Sequence, residues 1–288
     1  MDFLRWTIGD VTITKIVEME IKAGGLDALL PDATPEALKP ISWLHPHFVD
    51  DEGHLLMSIH GLVVETPSKR IMVDTCIGND KKDRILNWSN LQTGFMDDMH
   101  AAGFPPESID IVLCTHLHVD HVGWNTRLVE GQWVPTFPNA RYLMADSEFT
   151  HWRDQEEDDG SRQVFADSVQ PVFEAGLVDL VAPDHKICKE VCLIPTHGHT
   201  PGHVSVVIRS KGEEAIITGD FIHHPCQLAR VHWSSIADTD PDAAVITRRR
   251  VFENYAGKSA LMIGTHFPYP TAGTIERDGD GFLLKTNN

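Results

Sequence analysis

The distribution of apolar and polar residues along the chain predicts many short β-strands and a few helices. Val11–Val17 alternates between apolar and polar residues, which is typical of a strand with one buried face. Two pairs of apolar runs are each joined by a short polar turn and predict antiparallel hairpins. These pairs are Leu56–Glu65 with Arg70–Asp74, and His203–Arg209 with Glu214–Thr218.

Four segments have the pattern of helices: Phe95–Ala102, Glu148–Trp152, Gln163–Ala175 and Pro241–Tyr255. Asp240 can cap the last of them, and Pro241 fits its first turn. Because strands and helices come in two successive blocks, the pattern predicts a mixed α/β protein. Residues 20–56 show little periodicity and are expected to form a loop excursion at the rim of a functional site, within a single domain that spans residues 1–288.

The composition agrees with one domain that has a sizeable core, since 42% of the 288 residues are hydrophobic. No apolar run approaches the ~20 residues needed to cross a bilayer, so no membrane association is expected. The N-terminal residues lack the basic start and apolar core of a secretory signal. The five cysteines form no CxxC pair. This usage is typical of a reducing compartment, and we expect the cytoplasm.

The charge balance is strongly acidic, with 42 Asp and Glu against 24 Lys and Arg and a formal net charge of −18. Such a surface repels phosphate backbones, so no nucleic-acid partner is expected. The one dense basic run, Arg248–Arg250, lies on the last predicted helix. A solvent-exposed face is the expected place for it, with an oligomer contact as the alternative.

Side chains that bind metals follow several strand-like apolar runs. Thr115–His121 carries three histidines and an aspartate directly after Ile109–Cys114. Later runs lead into residues 197–199, Gly219-Asp220 and Thr265-His266. Imidazole nitrogens and carboxylate oxygens are good ligands for zinc and similar ions. Strands that deliver such residues at one sheet edge predict a rigid metal centre. Spacing alone leaves His197 and His199 as alternative ligands in it.

These motifs resemble, in chain order, those of the metallo-β-lactamase superfamily. The matching elements are Val73-Asp74-Thr75, His116-Leu-His118-Val-Asp120-His121, Gly198-His199-Thr-Pro-Gly202-His203, Gly219-Asp220 and Thr265-His266. The resemblance implies an αβ/βα four-layer sandwich, with two mixed β-sheets flanked by helices. The set of five histidines and two aspartates looks like the dinuclear lactonase and organophosphate-hydrolase branch. Trp233–Arg250 looks like the methyl-parathion-hydrolase relatives.

Carried over residue by residue, the resemblance implies two divalent metal ions, with zinc expected and manganese, cobalt or iron as alternatives. The implied ligands are His116, His118 and His199 for one ion, Asp120, His121 and His266 for the other, and Asp220 as the bridge. A catalytic role is expected for Asp120, which would orient the nucleophile. The same holds for His203, with simple packing as the alternative. Asp74 is expected to support the ligands by hydrogen bonding.

The remaining histidines have no comparable context, and most of them are expected to be packed or surface residues. They include His45, His47, His54, His60, His223, His224 and His232.

The resulting hypothesis is a metal-dependent hydrolase in which a hydroxide bridging the two ions attacks a lactone, an ester or an organophosphate triester. The sequence has no GxSxG nucleophile elbow. One alternative is a β-lactamase or a thioesterase of the glyoxalase II type. The other, from a different class, is a mononuclear iron oxidoreductase of the persulfide-dioxygenase type. A homodimer is expected by analogy only.

The substrate is expected to be a small, partly apolar molecule. Ile41–Met57 and Phe221–Ile236 are the expected rim segments, and their apolar side chains would suit such a substrate. Packing of these side chains onto the sheet is the alternative. Lactonases of this branch are known for a tyrosine near the site, and none of the three tyrosines directly follows the Asp220 motif. Ester and phosphotriester substrates therefore stay open beside lactones.

Overall fold

The computed structural model describes residues 3–21, 27–154 and 159–286. Nine strands lie between residues 5 and 181: β1 Arg5–Ile8, β2 Val11–Ile21, β3 Met57–Glu65, β4 Arg70–Val73, β5 Ile111–Leu113, β6 Thr126–Val129, β7 Gln132–Pro135, β8 Arg141–Ala145 and β9 Val178–Val181. Seven of them form one mixed sheet in the order β1-β2-β3-β4-β5-β8-β9. The strands from β4 to β9 in this order are parallel neighbours, and β6 and β7 form a separate hairpin.

The C-terminal half supplies a second mixed sheet of six strands in chain order. They are β10 Val191–Pro195, β11 Val204–Ser210, β12 Glu213–Ile217, β13 Leu261–Ile263, β14 Ala272–Asp278 and β15 Gly281–Lys285. β11 is antiparallel to both β10 and β12, and β13 is parallel to β12. Three strands, β10, β12 and β13, therefore end at the same edge of this sheet.

The described helices are α1 Pro35–Leu38, α2 Phe95–Ala101, α3 Asp146–Arg153, α4 Asp159–Val164, α5 Gln170–Glu174, α6 Cys226–Ala229 and α7 Pro241–Tyr255. Short 3-10 turns lie at Asp27–Leu29, Ser42–Leu44, Pro106–Ser108, Gly123–Asn125 and Gly219–Phe221. A π-helical turn, Phe165–Val169, separates α4 from α5. Among the described helices, none combines the length and apolar character that a membrane span requires.

Three apolar clusters order these elements into four layers. One cluster lies between the sheets and includes Ile13, Leu113, Val206 and Ile217. The second covers the outer face of the first sheet, where residues of α2, α3 and α5 pack. The third covers the outer face of the second sheet, where α6, α7 and part of residues 30–55 pack. Both faces of each sheet are thus buried, as in the αβ/βα sandwich that the resemblance implies.

The predicted elements are largely present. Both hairpins form as antiparallel pairs, and the side chain of Asp240 caps α7 by accepting a hydrogen bond from the backbone of Ala243 at 3.0 Å. The helix predicted over Gln163–Ala175 is wrong in one respect, since the π-helical turn breaks it. In the segment predicted as an excursion, residues 22–26 lie outside the described residues, and β2 extends to Ile21. Residues 27–56 carry short helices and turns, as expected.

Candidate metal centre

One buried carboxylate joins the two ends of the loop after β5. Asp74 follows β4 with a left-handed backbone, φ 57°. One of its oxygens accepts a hydrogen bond from the backbone N–H of Thr115 at 2.8 Å, and the other accepts one from the Thr115 hydroxyl at 2.8 Å. The second oxygen also lies 2.9 Å from Nδ1 of His121. Asp74 therefore joins the first residue of the ligand-bearing loop to the last, as predicted for a supporting residue.

The second sheet delivers its ligand residues at the shared edge of β10, β12 and β13. His199 follows β10, Asp220 follows β12 and His266 follows β13. Because these strands run in the same direction, their carboxyl ends bring the three side chains together without any long connection. His197, the alternative on spacing, belongs to none of the clusters of potential metal ligands found among the described residues.

Two motif glycines allow this close approach. Gly219 has φ +58°, and a Cβ atom there would lie 2.5 Å from Nε2 of His203. A Cβ atom at Gly202 would lie 2.3 Å from the backbone nitrogen of Glu148. Side chains at these two positions would push the loops of the site apart.

Seven side chains converge into two adjacent triads that share one aspartate. In the first triad, Nδ1 of His118 lies 3.1 Å from Nε2 of His116 and 2.9 Å from Nε2 of His199. In the second, the carboxylate of Asp120 lies 3.6 Å from Nε2 of His121 and 3.5 Å from Nε2 of His266.

Asp220 lies between the triads. Its Oδ2 is 3.0 Å from Nε2 of His266 and 3.4 Å from Nε2 of His121, on the side of the second triad. It is also 3.9 Å from Nε2 of His116 and 3.8 Å from Nε2 of His199, on the side of the first. A single carboxylate thus reaches the ligand atoms of both groups.

The donor set fits divalent cations. The three ring nitrogens of the first triad converge on one point. A single proton there can form a hydrogen bond between two of the nitrogens but leaves the third without a partner. Within the described residues, Nε2 of His121 and Oδ1 of Asp220 are buried without a hydrogen-bond partner. Such orphaned atoms are costly unless a cation satisfies them. Nitrogen and carboxylate ligands in groups of three match zinc and similar ions.

Burial and charge divide the histidines of the site into two kinds. Burial, together with neighbouring imidazoles, lowers the pKa of His116 and of His118 well below the usual value. Burial also opposes the charged form of His121, yet Asp220, Asp120 and Asp74 outweigh it and raise the pKa of His121 well above the usual value. Around Asp220, protons and a metal ion would therefore compete for the same nitrogens.

The outer nitrogens of most ligand histidines have partners that fix the rings. Nδ1 of His116 lies 3.1 Å from the Thr115 hydroxyl, and Nδ1 of His199 lies 2.9 Å from Asp238. Nδ1 of His266 lies 3.3 Å from the backbone carbonyl of Ser58. Such partners set the tautomer and leave Nε2 free to bind a cation.

A family model described as the metallo-beta-lactamase superfamily matches residues 56–253, which include six of the seven candidate ligand residues. The chain belongs to the metallo-β-lactamase superfamily. Its αβ/βα sandwich is the fold expected from the motifs.

The similar proteins are lactonases and related hydrolases. The N-acyl homoserine lactonase AttM of Rhizobium radiobacter is 26% identical over 127 residues, which are 43% of this chain and 45% of AttM. An N-acyl homoserine lactonase of a Bacillus species is 23% identical over 172 residues, 55% of this chain and 62% of that protein. The matches thus span less than two thirds of the length of either relative.

Two solved structures superpose over nearly the whole chain. AidC, a dizinc quorum-quenching lactonase, has a TM-score of 0.83 at 21% identity and covers 99% of this chain and 97% of its own. The hydrolase AbOPH of the β-lactamase superfamily has a TM-score of 0.81 at 25% identity, with 99% and 98% covered. At such identities the AidC likeness establishes the shared fold.

Several residues that support this candidate site were not predicted. Glu148 of α3 is buried, and its carboxylate accepts hydrogen bonds from the backbone of Leu117 at 3.1 Å and of Gly202 at 2.8 Å. It thereby braces the loops before His118 and after His199. Apart from its place in a predicted helix, no sequence pattern marks Glu148, since its partners lie 31 and 54 residues away.

Arg248 corrects the prediction of a solvent-exposed basic run. Its side chain is fully buried, whereas Arg249 and Arg250 are exposed. The guanidinium donates to the backbone carbonyls of Val231 and Phe221 at 3.2 and 3.3 Å and lies 3.6 Å from Asp238. Arg248 therefore ties α7 to the segment that carries Asp220 and Asp238.

Both ring nitrogens of His203 are engaged inside the protein. Nε2 accepts a hydrogen bond from the backbone N–H of Asp220 at 2.7 Å. Nδ1 must then carry the proton, and it donates to the Thr196 hydroxyl at 2.8 Å. This arrangement favours a role of His203 in placing Asp220 over contact with a substrate.

A cavity of about 240 Å³ lies above the ligands. Its walls include His118, Asp120, His199, Asp220, His223 and His266 on the polar side, and Leu29, Met57, Ile85, Leu86, Trp88, Val119 and Val164 on the apolar side. The prediction that the apolar side chains of residues 41–57 and 221–236 line the rim of the site is wrong for most of them. Leu44, Phe48, Leu55, Phe221, Leu228 and Trp233 pack in the core outside the second sheet, as the alternative had it. Asp83, Arg84, Ile85, Leu86 and Trp88 form part of the wall instead.

Proposed function

We propose that this chain is a hydrolase that uses two divalent metal ions, with zinc expected, to open lactone or ester bonds in small, partly apolar molecules. The observation that carries the proposal is the pair of triads sharing Asp220 beneath a cavity with an apolar wall. Lactonases among the similar proteins support a lactone as the preferred substrate.

The ligand groups suggest how the residues divide the work. His116, His118 and His199 would hold one ion, and Asp120, His121 and His266 the other, with Asp220 shared. Bound divalent cations supply Lewis acidity and lower the pKa of water, the chemistry that hydrolysis at neutral pH needs. Asp120 has the more exposed carboxylate, at 15% against 5% for Asp220. We assign to Asp120 the role of accepting a hydrogen bond from the attacking water and orienting it.

Two triads with a shared aspartate favour two cations over the single iron of a persulfide-dioxygenase-like enzyme. The same geometry does not separate lactones from thioesters, β-lactams or phosphotriesters, so the substrate class is a matter for experiment.

The test is a substrate panel run on protein of measured metal content. The panel contains acyl lactones, aryl esters, phosphotriesters, a cephalosporin reporter and S-lactoylglutathione. We expect about two ions per chain and the fastest turnover with a lactone or ester. Activity should disappear with a chelator and return with zinc. His118→Ala should lose turnover by orders of magnitude, whereas the exposed control His232→Ala should not. One iron per chain with oxygen uptake, or full activity of metal-depleted His118→Ala, would contradict the proposal.

We also infer that the enzyme acts as one domain on small molecules, without nucleic acid, in the cytoplasm. All five cysteines are free thiols, which supports a reducing compartment. The expected homodimer is checked by sedimentation at several protein concentrations.

A further inference from the structure

Lys15 is a buried lysine that reaches from the first sheet to the loop that carries His266. It belongs to β2 and is 4% exposed. Its Nζ donates hydrogen bonds to the hydroxyl of Thr271 at 2.8 Å and to the backbone carbonyl of Phe267 at 3.3 Å. Both acceptors lie in the loop between β13 and β14 of the second sheet. One side chain thus joins the two sheets beside a candidate ligand.

The charge of Lys15 is held in the interior by neutral groups. Burial lowers the pKa of Lys15 to about 8, and the negative charge of Glu20 offsets this effect only in part. The hydrogen-bond partners of its Nζ are one carbonyl and one hydroxyl. A buried ammonium without a close carboxylate is costly, and an apolar side chain would fill the same space at a lower cost. A lysine is therefore favoured at this position only where its donors are needed.

The loop that Lys15 contacts contains a strained residue. Thr271 is β-branched, yet its backbone is left-handed with φ 67°, which such residues rarely adopt. Its hydroxyl also lies 3.2 Å from the carbonyl of Phe267 and 2.9 Å from that of Pro268, and its own carbonyl accepts a hydrogen bond from Gly264 at 3.1 Å. The ammonium therefore binds the loop where it closes on itself. Strained residues persist only where surrounding contacts hold them.

His266 lies in the same loop and is also held from the first sheet. The backbone N–H of Ser58 in β3 donates a hydrogen bond to the carbonyl of His266 at 3.0 Å, and the carbonyl of Ser58 lies 3.3 Å from Nδ1 of His266. Ser58 thus holds the ligand residue itself, and Lys15 holds the rest of the loop. In this position, Nε2 of His266 lies 3.0 Å from Asp220 and 3.5 Å from Asp120.

We propose that Lys15 is a positioning residue that holds His266 in place for the second of the two proposed ions. The inference rests on the proposed function, since that ion is part of it. The ammonium fixes the loop across the space between the sheets, and the loop fixes the ring. Loss of this contact should let His266 move away from Asp120 and Asp220. The three histidines of the first triad lie outside this loop and should keep their ion.

Lys81 offers a matched control. It is fully buried, and its Nζ also donates to one threonine hydroxyl and one backbone carbonyl, those of Thr126 at 2.7 Å and Asp167 at 3.1 Å. These partners lie in β6 and in the π-helical turn, neither of which carries a candidate ligand. Lys81 also lies 3.5 Å from the carboxylate of Asp167, so its replacement should cost at least as much stability as that of Lys15.

The experiment compares Lys15→Met, Lys81→Met and His266→Ala in the full chain. Titration of zinc against a chromogenic chelator gives the affinity of each binding step, and thermal unfolding of the metal-free form measures the structural cost separately. His266→Ala should abolish one step and thereby identify it. We expect Lys15→Met to weaken that same step by about 10- to 100-fold and the other step by less than about threefold. Lys81→Met should unfold earlier than the wild type and keep both steps.

A second variant tests the same contact from the other side. Thr271→Val removes the hydroxyl that accepts from Lys15 but keeps the shape of the side chain and the buried charge. It should weaken the same binding step, and the double variant Lys15→Met/Thr271→Val should lose less affinity than the sum of the two single losses, because both remove one contact. This variant also decides the matter if Lys15→Met does not fold.

The remaining outcomes contradict the proposal in distinguishable ways. Equal weakening of both steps in Lys15→Met, unchanged affinity in Lys15→Met or Thr271→Val, or an equal loss in Lys81→Met would overturn the role of Lys15. If the wild type still binds two ions and cleaves a lactone or ester, the proposed function stands in each of these cases. A wild type that binds no second ion refutes the proposed function, and the role of Lys15 falls with it.

Discussion

The two sheets contribute to the candidate metal centre in different ways. The first sheet supplies four ligand residues from one loop of seven residues, Thr115–His121, and one carboxylate, that of Asp74, holds both ends of this loop. The second sheet supplies three ligands from three strand ends. Each of these has a support of its own: Asp238 for His199, His203 for Asp220 and the carbonyl of Ser58 for His266. The compact loop therefore has one carboxylate that joins its two ends, with Glu148 holding the backbone of Leu117 in between, whereas each dispersed ligand has a separate support.

This difference predicts how many of the proposed metal ions a substitution at one supporting residue will disturb. A change at the brace of the first sheet should disturb both proposed ions, because Asp74 contacts His121 directly and reaches His116 through Thr115. A change at one support of the second sheet should disturb a single ion. Asp220 is the exception, since it reaches both triads.

The largest effect is expected at this shared aspartate. Asp220→Ala should release one or both ions and lower kcat by ~10³-fold or more, since losing several kcal/mol of charge stabilisation costs a factor of ten per 1.36 kcal/mol. Metal analysis and steady-state kinetics measure both effects. Asp280→Ala, at an exposed site, is the control. Two ions retained with normal turnover would show that Asp220 is not shared.

A pair of variants tests the unequal braces directly. Asp74→Asn should weaken binding of both ions by about 10- to 100-fold, and Asp238→Asn should weaken only the ion held through His199 by a similar factor. Titration against a chromogenic chelator resolves the two binding steps. Equal effects of the two variants on both steps would remove the proposed difference between the sheets.

Arg248 is a buried, positively charged side chain that is not a proposed metal ligand, and it should matter mainly for stability. Arg248→Met leaves two backbone carbonyls and part of the Asp238 carboxylate without a donor, at a cost of about 3 kcal/mol in the free energy of unfolding. Denaturant unfolding measures the loss. The exposed neighbour should behave differently, with Arg249→Met within about 0.5 kcal/mol of the wild type. A similar loss of unfolding free energy in both variants would show that Arg248 does not support Asp238.

The smallest effect is expected at the apolar wall. Ile85 is 61% exposed and lines the cavity. Ile85→Ser should raise KM for a substrate with a long apolar chain by about fivefold and leave kcat unchanged, since only part of one side chain is lost from the contact. A short-chain substrate serves as the internal control. An equal change for both chain lengths would exclude contact between Ile85 and the apolar chain.

The elements that could be predicted from the sequence are those with local signals. The hairpin of β3 and β4 has two apolar runs joined by a polar turn, and α7 has Asp240 and Pro241 at its start. The ligand motif of residues 116–121 is contiguous, so spacing alone was enough to suggest its chemistry.

Other features had no local signal to find. Glu148 and Arg248 look like ordinary helix residues, and their functions depend on partners far away in the chain. The apolar residues of 41–56 and 221–233 could equally have lined a cavity or filled a core. His223 and His224 are adjacent histidines, and only their contacts distinguish a cavity residue from a packed one.

The order of apolar runs predicted a mixed α/β protein, and the motifs at their ends resemble the metallo-β-lactamase superfamily, which implied the layered fold and the chemistry that seven side chains favour. Which atoms hold those side chains and which residues wall the cavity were decided only when the two sheets packed together. The reason is physical. Periodicity and turn propensity act between neighbours in the chain, whereas ring orientation and burial depend on contacts between residues that are distant in sequence and adjacent only in the folded protein.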